Sequence, residues 1–199
     1  MQRSDAEHDD QSIADAAKNF NRLEHVLLQN RTLTLFGEIN QDVARRMAEK
    51  LLALAFESDD PITLYIGSPG GHVESGDTIF DLIRYIKPEV RIIGTGWVGS
   101  IATHIYLAAD KANRFALPNT RFLIHQPSGG FGGDAADIEI HAREILKTRE
   151  RINGIIAERT GQSIDRVGED TQRDYWMSAE ESVEYGLVGK IISDISEVG

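Results

Sequence analysis

The chain contains no cysteine. That removes disulfide frames, thiolate metal sites and a cysteine nucleophile together. It is also poor in basic residues, with 21 Lys and Arg against 32 Asp and Glu, a net charge of −11. No Lys or Arg run offsets this balance, so no nucleic acid and no anionic membrane surface is expected as a partner. No apolar run is long enough to span a bilayer. The first ten residues, MQRSDAEHDD, are polar and lack the apolar stretch of a secretory signal. A cytoplasmic protein is expected. There is no internal repeat, no domain linker and no Walker A sequence, so no ATP site is visible. No pair of histidines has zinc-ligand spacing with a carboxylate, which disfavours a metal hydrolase.

What remains is a chain of 199 residues, sized for one domain with a real core. Residues 1–11 read as poorly ordered. A helix is expected from Ser12 to about Leu28, with Ile13, Ala16, Phe20, Leu23 and Leu27 on one face. Thr32–Phe36 reads as a strand ending at Gly37. Asn40 caps a helix bearing Val43, Met47, Leu51 and Leu54. Ile62–Ile66 is a short strand followed by a turn at 67–71, and a helix runs from about Ser75 to Ile86, before Pro88. Val90–Ile93, Arg114–Leu117 and Arg121–His125 read as strands, with a helix opening at Ser100. A glycine-rich stretch at 128–133 precedes a long helix from Asp134 to Arg159, ended by Gly161. Ser178-Ala-Glu-Glu181 is a capping box for a helix that stops at Gly186, and Leu187–Ile192 closes as a strand. Strands alternating with helices predict an α/β fold with a mainly parallel sheet.

Three residues carry chemistry. Ser100 stands where a strand meets a helix, beside unpaired backbone N–H groups that can hold an anion. His125 ends an apolar strand and Asp174 follows in a loop. A serine, a histidine and a carboxylate are the parts of a serine hydrolase, and a peptidase is the expected kind. Each has a plainer reading. Ser100 alone is more readily a helix cap, His125 a core histidine, and Asp174 a surface carboxylate beside Arg173. Their joint placement near element ends favours the site. Gly94-Thr-Gly96-Trp-Val-Gly99 matches a dinucleotide fingerprint, but the acidic residue expected about twenty positions on is missing near 114–119. The α/β-hydrolases run Ser, Asp, His through a G-x-S-x-G elbow, whereas the flanks here are Val98 and Ala102. Among other histidines, His104 lies on the Ser100 helix, His141 on the outer face of the long helix, and His72 is the rival base. Gly70-Gly71 is either a tight turn or a backbone that approaches substrate, with an N–H available to an oxyanion.

On these residues the sequence resembles the ClpP family, the proteolytic subunit of the ATP-dependent Clp protease. The resemblance is carried by Tyr65-Ile-Gly-Ser-Pro-Gly-Gly71, Gly94 to Ser100, Leu117-Pro-Asn-Thr-Arg-Phe-Leu-Ile-His-Gln-Pro127, Asp137 to Ile145, and Arg173-Asp174 followed by Glu184-Tyr-Gly-Leu187. It implies an α/β ClpP/crotonase-like spiral of β-β-α units with a protruding handle helix. The implied layout is an N-terminal polar segment and helix at 1–30, one peptidase domain at 31–193 and a tail at 194–199. It implies Ser100 as nucleophile, His125 as general base, Asp174 as orienting carboxylate, and the N–H groups of Gly71 and Ile101 as oxyanion hole. Asp137–Ile145 would lie on the handle helix and Gly129–Gly133 on a handle strand lining the substrate path.

The implied partners are further copies of the chain, as two stacked heptameric rings, or a second subunit type of the family. A Clp AAA+ ATPase of the ClpX, ClpA or ClpC type would feed unfolded protein. No cofactor is implied in this chain, ATP being used by that ATPase. Arg173 would pair across the ring–ring interface. The sequence departs from the family at Ser100-Ile101-Ala102, usually Ser-Met-Gly, at the acidic N-terminus, and at Thr63 in the edge cleft that Tyr65, Tyr85 and Ile93 otherwise keep apolar or aromatic. A crotonase-type acyl-CoA enzyme and a catalytically silent structural subunit of a mixed ring are the alternatives, and the complete serine–histidine–aspartate set disfavours both.

Overall fold

The computed structural model describes residues 22–128, 130 and 132–198. Most of the helix expected from Ser12 lies outside these residues. Its last part, 22–29, is helical (α1), with Leu23 and Leu27 exposed. The elements that follow are β1 (Thr32–Ile39), α2 (Gln41–Glu57), β2 (Ile62–Gly71), α3 (Val73–Tyr85), β3 (Val90–Gly99), α4 (Ile101–Tyr106), β4 (Arg114–Ala116) and β5 (Arg121–Ile124). Then come α5 (Ala135–Thr160), α6 (Ile164–Asp170), β6 (Tyr175–Met177), α7 (Ala179–Tyr185) and β7 (Lys190–Ile191).

Strands β1, β2, β3, β4 and β7 lie side by side and parallel. β3 then changes neighbours. Its first half, Ile92–Gly94, pairs with β4, and its last residues, Trp97–Gly99, pair with β5. The glycines explain the change. Gly96 has φ +62, a conformation that favours glycine. A Cβ on Gly94 would reach within 3.0 Å of the Phe122 ring. The motif that looked like a nucleotide loop is therefore the bend of a strand. β1, β2 and β3 each lead into a helix, and β5 and β6 form the smaller antiparallel arm.

Four strands differ from their sequence reading. β1 runs past Gly37 to Ile39, and β3 runs past Ile93 to Gly99. β2 does not stop at Ile66 but runs on through Pro69 to Gly71, because β1 and β3 continue beside it. A bulge in β2 at Ser68-Pro69, opposite Gly37 (φ +78), keeps the two strands in step, and Ser68 Oγ ties it by donating to the Gly37 carbonyl at 2.6 Å. The closing strand expected over Leu187–Ile192 is only Lys190–Ile191. Leu187 and Val188 are instead fully buried in the core. Helix α6 and strand β6 are too short for their periodicity to show in sequence. The C-terminal tail is also folded: Ile195–Val198 form a 3₁₀ turn, and Val198 packs on Ile93, Phe115 and Ile192.

The helices follow their caps. Asn40 accepts from Val43 N–H at 2.9 Å, Asp134 caps the start of α5, Gly161 ends it in the left-handed region, and Ser178 and Glu181 form the capping box of α7. Helix α5 has 26 residues, about 39 Å at 1.5 Å per residue. Only Ile152, Asn153 and Ile156 are buried, while Ile138, Ile140 and Leu146 stand about half exposed. Its first turns project from the body. The strand expected at Gly129–Gly133 falls partly outside the described residues, and Gly130, Gly132 and Gly133 are not in a strand.

Charges fix the helices to the sheet. Arg114 is buried at 1% exposure and donates to the carbonyls of Arg159 and Gly186. Arg159 in turn donates to Leu107 and Ala109 at the end of α4. Both cations sit at helix C-termini, where unpaired carbonyls favour them. Farther along α5, Arg151 grips Asp77 of α3 with two bonds of 2.8 and 2.7 Å.

Burial works to raise the Asp77 carboxyl, but the contacts from His104 and Arg151 outweigh it and hold it down to about 2. A folded-state value below the ordinary ~3.9 contributes stability above that ordinary value, and the contribution is lost as pH falls toward about 2. In urea titrations, the unaltered protein should lose more stability between pH 4 and pH 2 than Asp77→Asn does. Equal losses in the two proteins would show that the tether contributes nothing.

Candidate active site

Ser100, His125 and Asp174 come together through sheet register rather than sequence proximity. Gly99 pairs with Leu123 across β3 and β5. The Ser100 N–H then donates to the Leu123 carbonyl at 2.9 Å, two residues before His125. In the antiparallel β5–β6 pair, Ile124 faces Tyr175, so the next positions, His125 and Asp174, face each other as well. Gln126 N–H donating to Thr171 O at 2.7 Å secures the loop that brings Asp174 in. The outcome is a continuous chain. Ser100 Oγ lies 2.8 Å from His125 Nε2, and His125 Nδ1 lies 2.9 Å from Asp174 Oδ1. With Asp174 ionised, Nδ1 carries the proton and Nε2 is free to accept one from the serine.

Ser100 does not act as a side-chain cap. Its hydroxyl makes no capping bond to α4. Its backbone has φ +57 and ψ −127; among described non-glycine residues, Arg31 is the other with positive φ. Such a conformation costs of order 1–3 kcal/mol and persists where the surroundings enforce it. Here the enforcement is visible. The Leu123 carbonyl holds the Ser100 N–H, and the Ser100 carbonyl accepts from Thr103 N–H. Thr103 Oγ1, fully buried, bonds the carbonyls of Val98 and Leu123 at 3.0 and 2.9 Å. Helix α4 is six residues, all of them buried, shorter than the run to Ala109 that its apolar pattern offers.

The glycine pair at the end of β2 runs along the serine. A Cβ on Gly70 would come within 2.7 Å of Ser100 Cβ and 3.2 Å of Ile101 N. Gly71 has φ +151, and a Cβ there would fall 2.2 Å from the Ile39 carbonyl oxygen. Of the two positions named for an oxyanion, Ile101 lies against the end of β2 at Gly70, and Gly71 follows in the same segment, packed on Ile39. The rival base, His72, lies elsewhere in the network: Nδ1 is 2.8 Å from Ser75 Oγ and Nε2 is 3.1 Å from Glu74. His141, expected on an outer face, is half-buried and lines a groove with His72 and Pro127.

Two features escaped the sequence reading. Gly76 of α3 is placed so that a Cβ would meet Ile101 Cγ1 at 2.1 Å. The absence of a side chain lets α3 and α4 close on each other at the residue after the serine, and an isolated glycine in a helix was its signal. His104 is the other. It lies on α4 as expected, and it is 2% exposed and stacked on Phe80 at 4.3 Å. Asp174 is the exposed member of the set, with 63% of its side chain accessible, against 26% for His125. Among the described residues no cluster of His, Asp and Glu could hold a metal ion, and no helix is long and apolar enough to cross a membrane.

The Clp protease family model matches residues 15–194. The chain is 54% identical over 172 residues to the ATP-dependent Clp protease proteolytic subunit 3 of Rhizobium meliloti, covering 86% of this chain and 88% of that one. It is 51% identical over 177 residues to the ATP-dependent Clp protease proteolytic subunit 2 of Pseudomonas aeruginosa, covering 89% and 88%. Among solved structures, ClpP1 from Listeria monocytogenes aligns with a TM-score of 0.81 at 49% identity, covering 89% of this chain and 99% of that one. Its N165D mutant gives 0.84 at 51% identity, with the same coverage.

Gly76→Ala should gain about 1 kcal/mol in helix propensity and lose about 1–3 kcal/mol to overpacking. The net expectation is a folded protein with a lower melting temperature and slower reaction of Ser100 with an acylating probe. Unchanged probe reactivity would mean that the α3–α4 contact does not position Ile101.

Proposed function

The chain belongs to the Clp protease family, and we propose that it is the serine endopeptidase subunit of a self-compartmentalised protease. The observation that carries this reading is the hydrogen-bonded series from Ser100 Oγ through His125 to Asp174, at 2.8 and 2.9 Å. Ser100 Oγ attacks the peptide carbonyl as His125 Nε2 takes its proton. Asp174 holds Nδ1–H and stabilises the imidazolium that forms. The N–H groups of Gly71 and Ile101 receive the developing oxyanion. His125 passes the proton to the leaving amine, and water then hydrolyses the acyl-enzyme by the same steps in reverse order. No cofactor enters this chemistry. The intact series weighs against a silent structural subunit, and a crotonase-type acyl-CoA enzyme would have no use for it.

The proposed assembly is two stacked heptameric rings of this chain, alone or with a second subunit type. A Clp AAA+ ATPase would supply unfolded polypeptide in the cytoplasm. Support comes from α5, whose projecting half shows Ile138, Ile140 and Leu146 to solvent in a single chain. Apolar side chains repeated along one helix ask for a partner surface. The exposure of Asp174 points the same way. An open ion pair is worth about 0–1 kcal/mol, so a neighbour that covers it would strengthen the orientation of His125. Arg173, adjacent and without an ion pair among the described residues, is the proposed cross-ring contact.

A fluorophosphonate probe should form one adduct per chain, on Ser100, and Ser100→Ala should abolish it with about a 10⁴-fold or greater loss of peptidase rate. An adduct that persists in Ser100→Ala overturns the assignment. Light scattering should give a mass many times that of one chain, whereas a clean monomer at micromolar concentration excludes the ring. Arg173→Ala should lower peptidase rate and assembled fraction together; loss of one without the other separates assembly from catalysis.

A further inference from the structure

The two tryptophans of the chain, Trp97 and Trp176, lie side by side on one sheet face. Trp97 of β3 pairs with Arg121 of β5, and Leu123, two residues on, pairs with Trp176 of β6. Side chains two apart on a strand share a face. Trp97, Arg121 and Trp176 therefore form a strip on the face that also carries His125 and Asp174. The other face of β5 and β6, with Phe122, Ile124 and Met177, is buried in the core. The strip is open: Trp97 is 43% exposed, Trp176 is 37% exposed, and Arg121 is exposed as well. It also reaches toward the nucleophile. A Cβ on Gly99 would fall 2.6 Å from Trp97 Nε1, so the indole lies along the strand over the residue before Ser100.

The chemistry of the strip is one-sided. The two indoles are 5.5 Å apart and tilted by 41°, and the Arg121 guanidinium stands 4.4 Å from the Trp176 ring centroid. Stacking of this kind holds the guanidinium plane and leaves its N–H edge free. Indole N–H and guanidinium groups donate hydrogen bonds and accept none. None of these side-chain donors has a hydrogen-bond or ion-pair partner among the described residues. A free cation with two indole donors complements a carboxylate, and the ring faces complement the hydrocarbon stem that carries one. Single-stranded nucleic acid also stacks on aromatic rings, but it needs a cationic groove along its backbone. A chain of net charge −11, with one arginine in the strip, offers no such groove.

We propose that Trp97, Arg121 and Trp176 form a subsite that holds an acidic side chain of the substrate polypeptide, three or four residues from the bond cut at Ser100. The proposal rests on the serine peptidase reading and adds a substrate class to it, segments that carry Asp or Glu at that distance. Ser100 is three residues beyond Trp97, and His125 is four beyond Arg121. At 3.3 Å per residue that is about 10–13 Å, a span that an extended substrate covers in the same number of residues. Arg121 precedes His125 on β5, whereas Pro127 and Ser128 follow it and line the groove shared with His141. Strip and groove thus lie on opposite sides of His125. A polypeptide crossing Ser100 has one flank in the groove and the other on the strip.

Both tryptophans of the chain lie in the strip, so intrinsic tryptophan fluorescence reports this surface alone. The assembled Ser100→Ala protein is titrated with two peptides that differ at one central position, Glu against Gln. The Glu peptide should change the emission and bind about three- to tenfold more tightly, a difference that shrinks with added salt. Arg121→Met in the same background keeps a stem over Trp176 and removes the charge. The ratio of the two affinities, which cancels any general loss, should then fall to one. On the active protein, mass spectrometry of the cleaved peptides should show cuts three or four residues from Glu favoured over the matching cuts in the Gln peptide. Equal affinities overturn the proposal, as does a ratio that survives Arg121→Met. If that variant does not fold, the ratio with Arg121 in place still decides. Emission that changes with protein concentration but not with peptide assigns the strip to a neighbouring copy. Emission that responds to a single-stranded oligonucleotide instead of peptide assigns it to nucleic acid. Either result also overturns the proposal. A fluorophosphonate on the unaltered protein tests the peptidase reading separately. A labelled Ser100 with equal peptide affinities sinks the subsite alone, whereas an unlabelled Ser100 sinks the peptidase reading and this proposal with it.

Discussion

The peptide at Ser100 is the constraint on which the rest of the site depends. A non-glycine residue at φ +57 resists its own backbone. It stays there because the Leu123 carbonyl accepts from its N–H, its carbonyl accepts from Thr103 N–H, and the glycine at 70 leaves no side chain to push back. Each of these contacts belongs to the scaffold. The bend at Gly96 lets β3 leave β4 and meet β5, and that change of neighbour is what puts the Leu123 carbonyl in front of Ser100. The placing of Ser100 beside His125 is thus a consequence of where one strand switches partners.

The same economy applies to His125 and Asp174. They lie 49 residues apart, yet one antiparallel register step sets them opposite each other. A single-residue slip in β5–β6 would turn every side chain to the wrong face. Phe122, Leu123 and Met177, all buried, specify the register by hydrophobic burial. The apolar core therefore aligns the polar site, and the site's own hydrogen bonds add little to holding it together.

Much of this was legible in the sequence. The caps at Asn40, Asp134 and Ser178 and the stops at Gly161 and Gly186 mark real helix ends, because capping is local chemistry. The Ser100, His125 and Asp174 set could be named because each falls at an element boundary. Length and partner choice in the strands were less legible. β2 continues through a Gly-Pro-Gly stretch only because neighbours on both sides supply hydrogen-bond partners, which no window of sequence reports. The G-x-G-x-x-G pattern could be set aside for want of an acidic residue near 114–119, but not explained: its glycines serve a strand bend and a close approach to Phe122. The roles of Gly76 and His104 depend on α3 packing against α4, a tertiary fact with only a faint local sign.

Helix α5 joins the two halves of the problem. Its inner end is anchored by Arg159 on the α4 carbonyls and by Ile152 and Ile156 in the core. Its middle is anchored by Arg151 on Asp77. Asp77 also faces His104, so one carboxylate touches both the projecting helix and the wall of the cavity beside Ser100. Nothing in the core requires a carboxylate there, and an apolar residue on α3 would pack against Phe80 and α4 without needing a cation from α5. The ion pair instead makes the position of α5 and the electrostatic environment of the cavity depend on the same group. Any partner that moves α5 must therefore either carry Asp77 with it or leave a half-buried carboxylate without its arginine, and the second outcome is the costlier one.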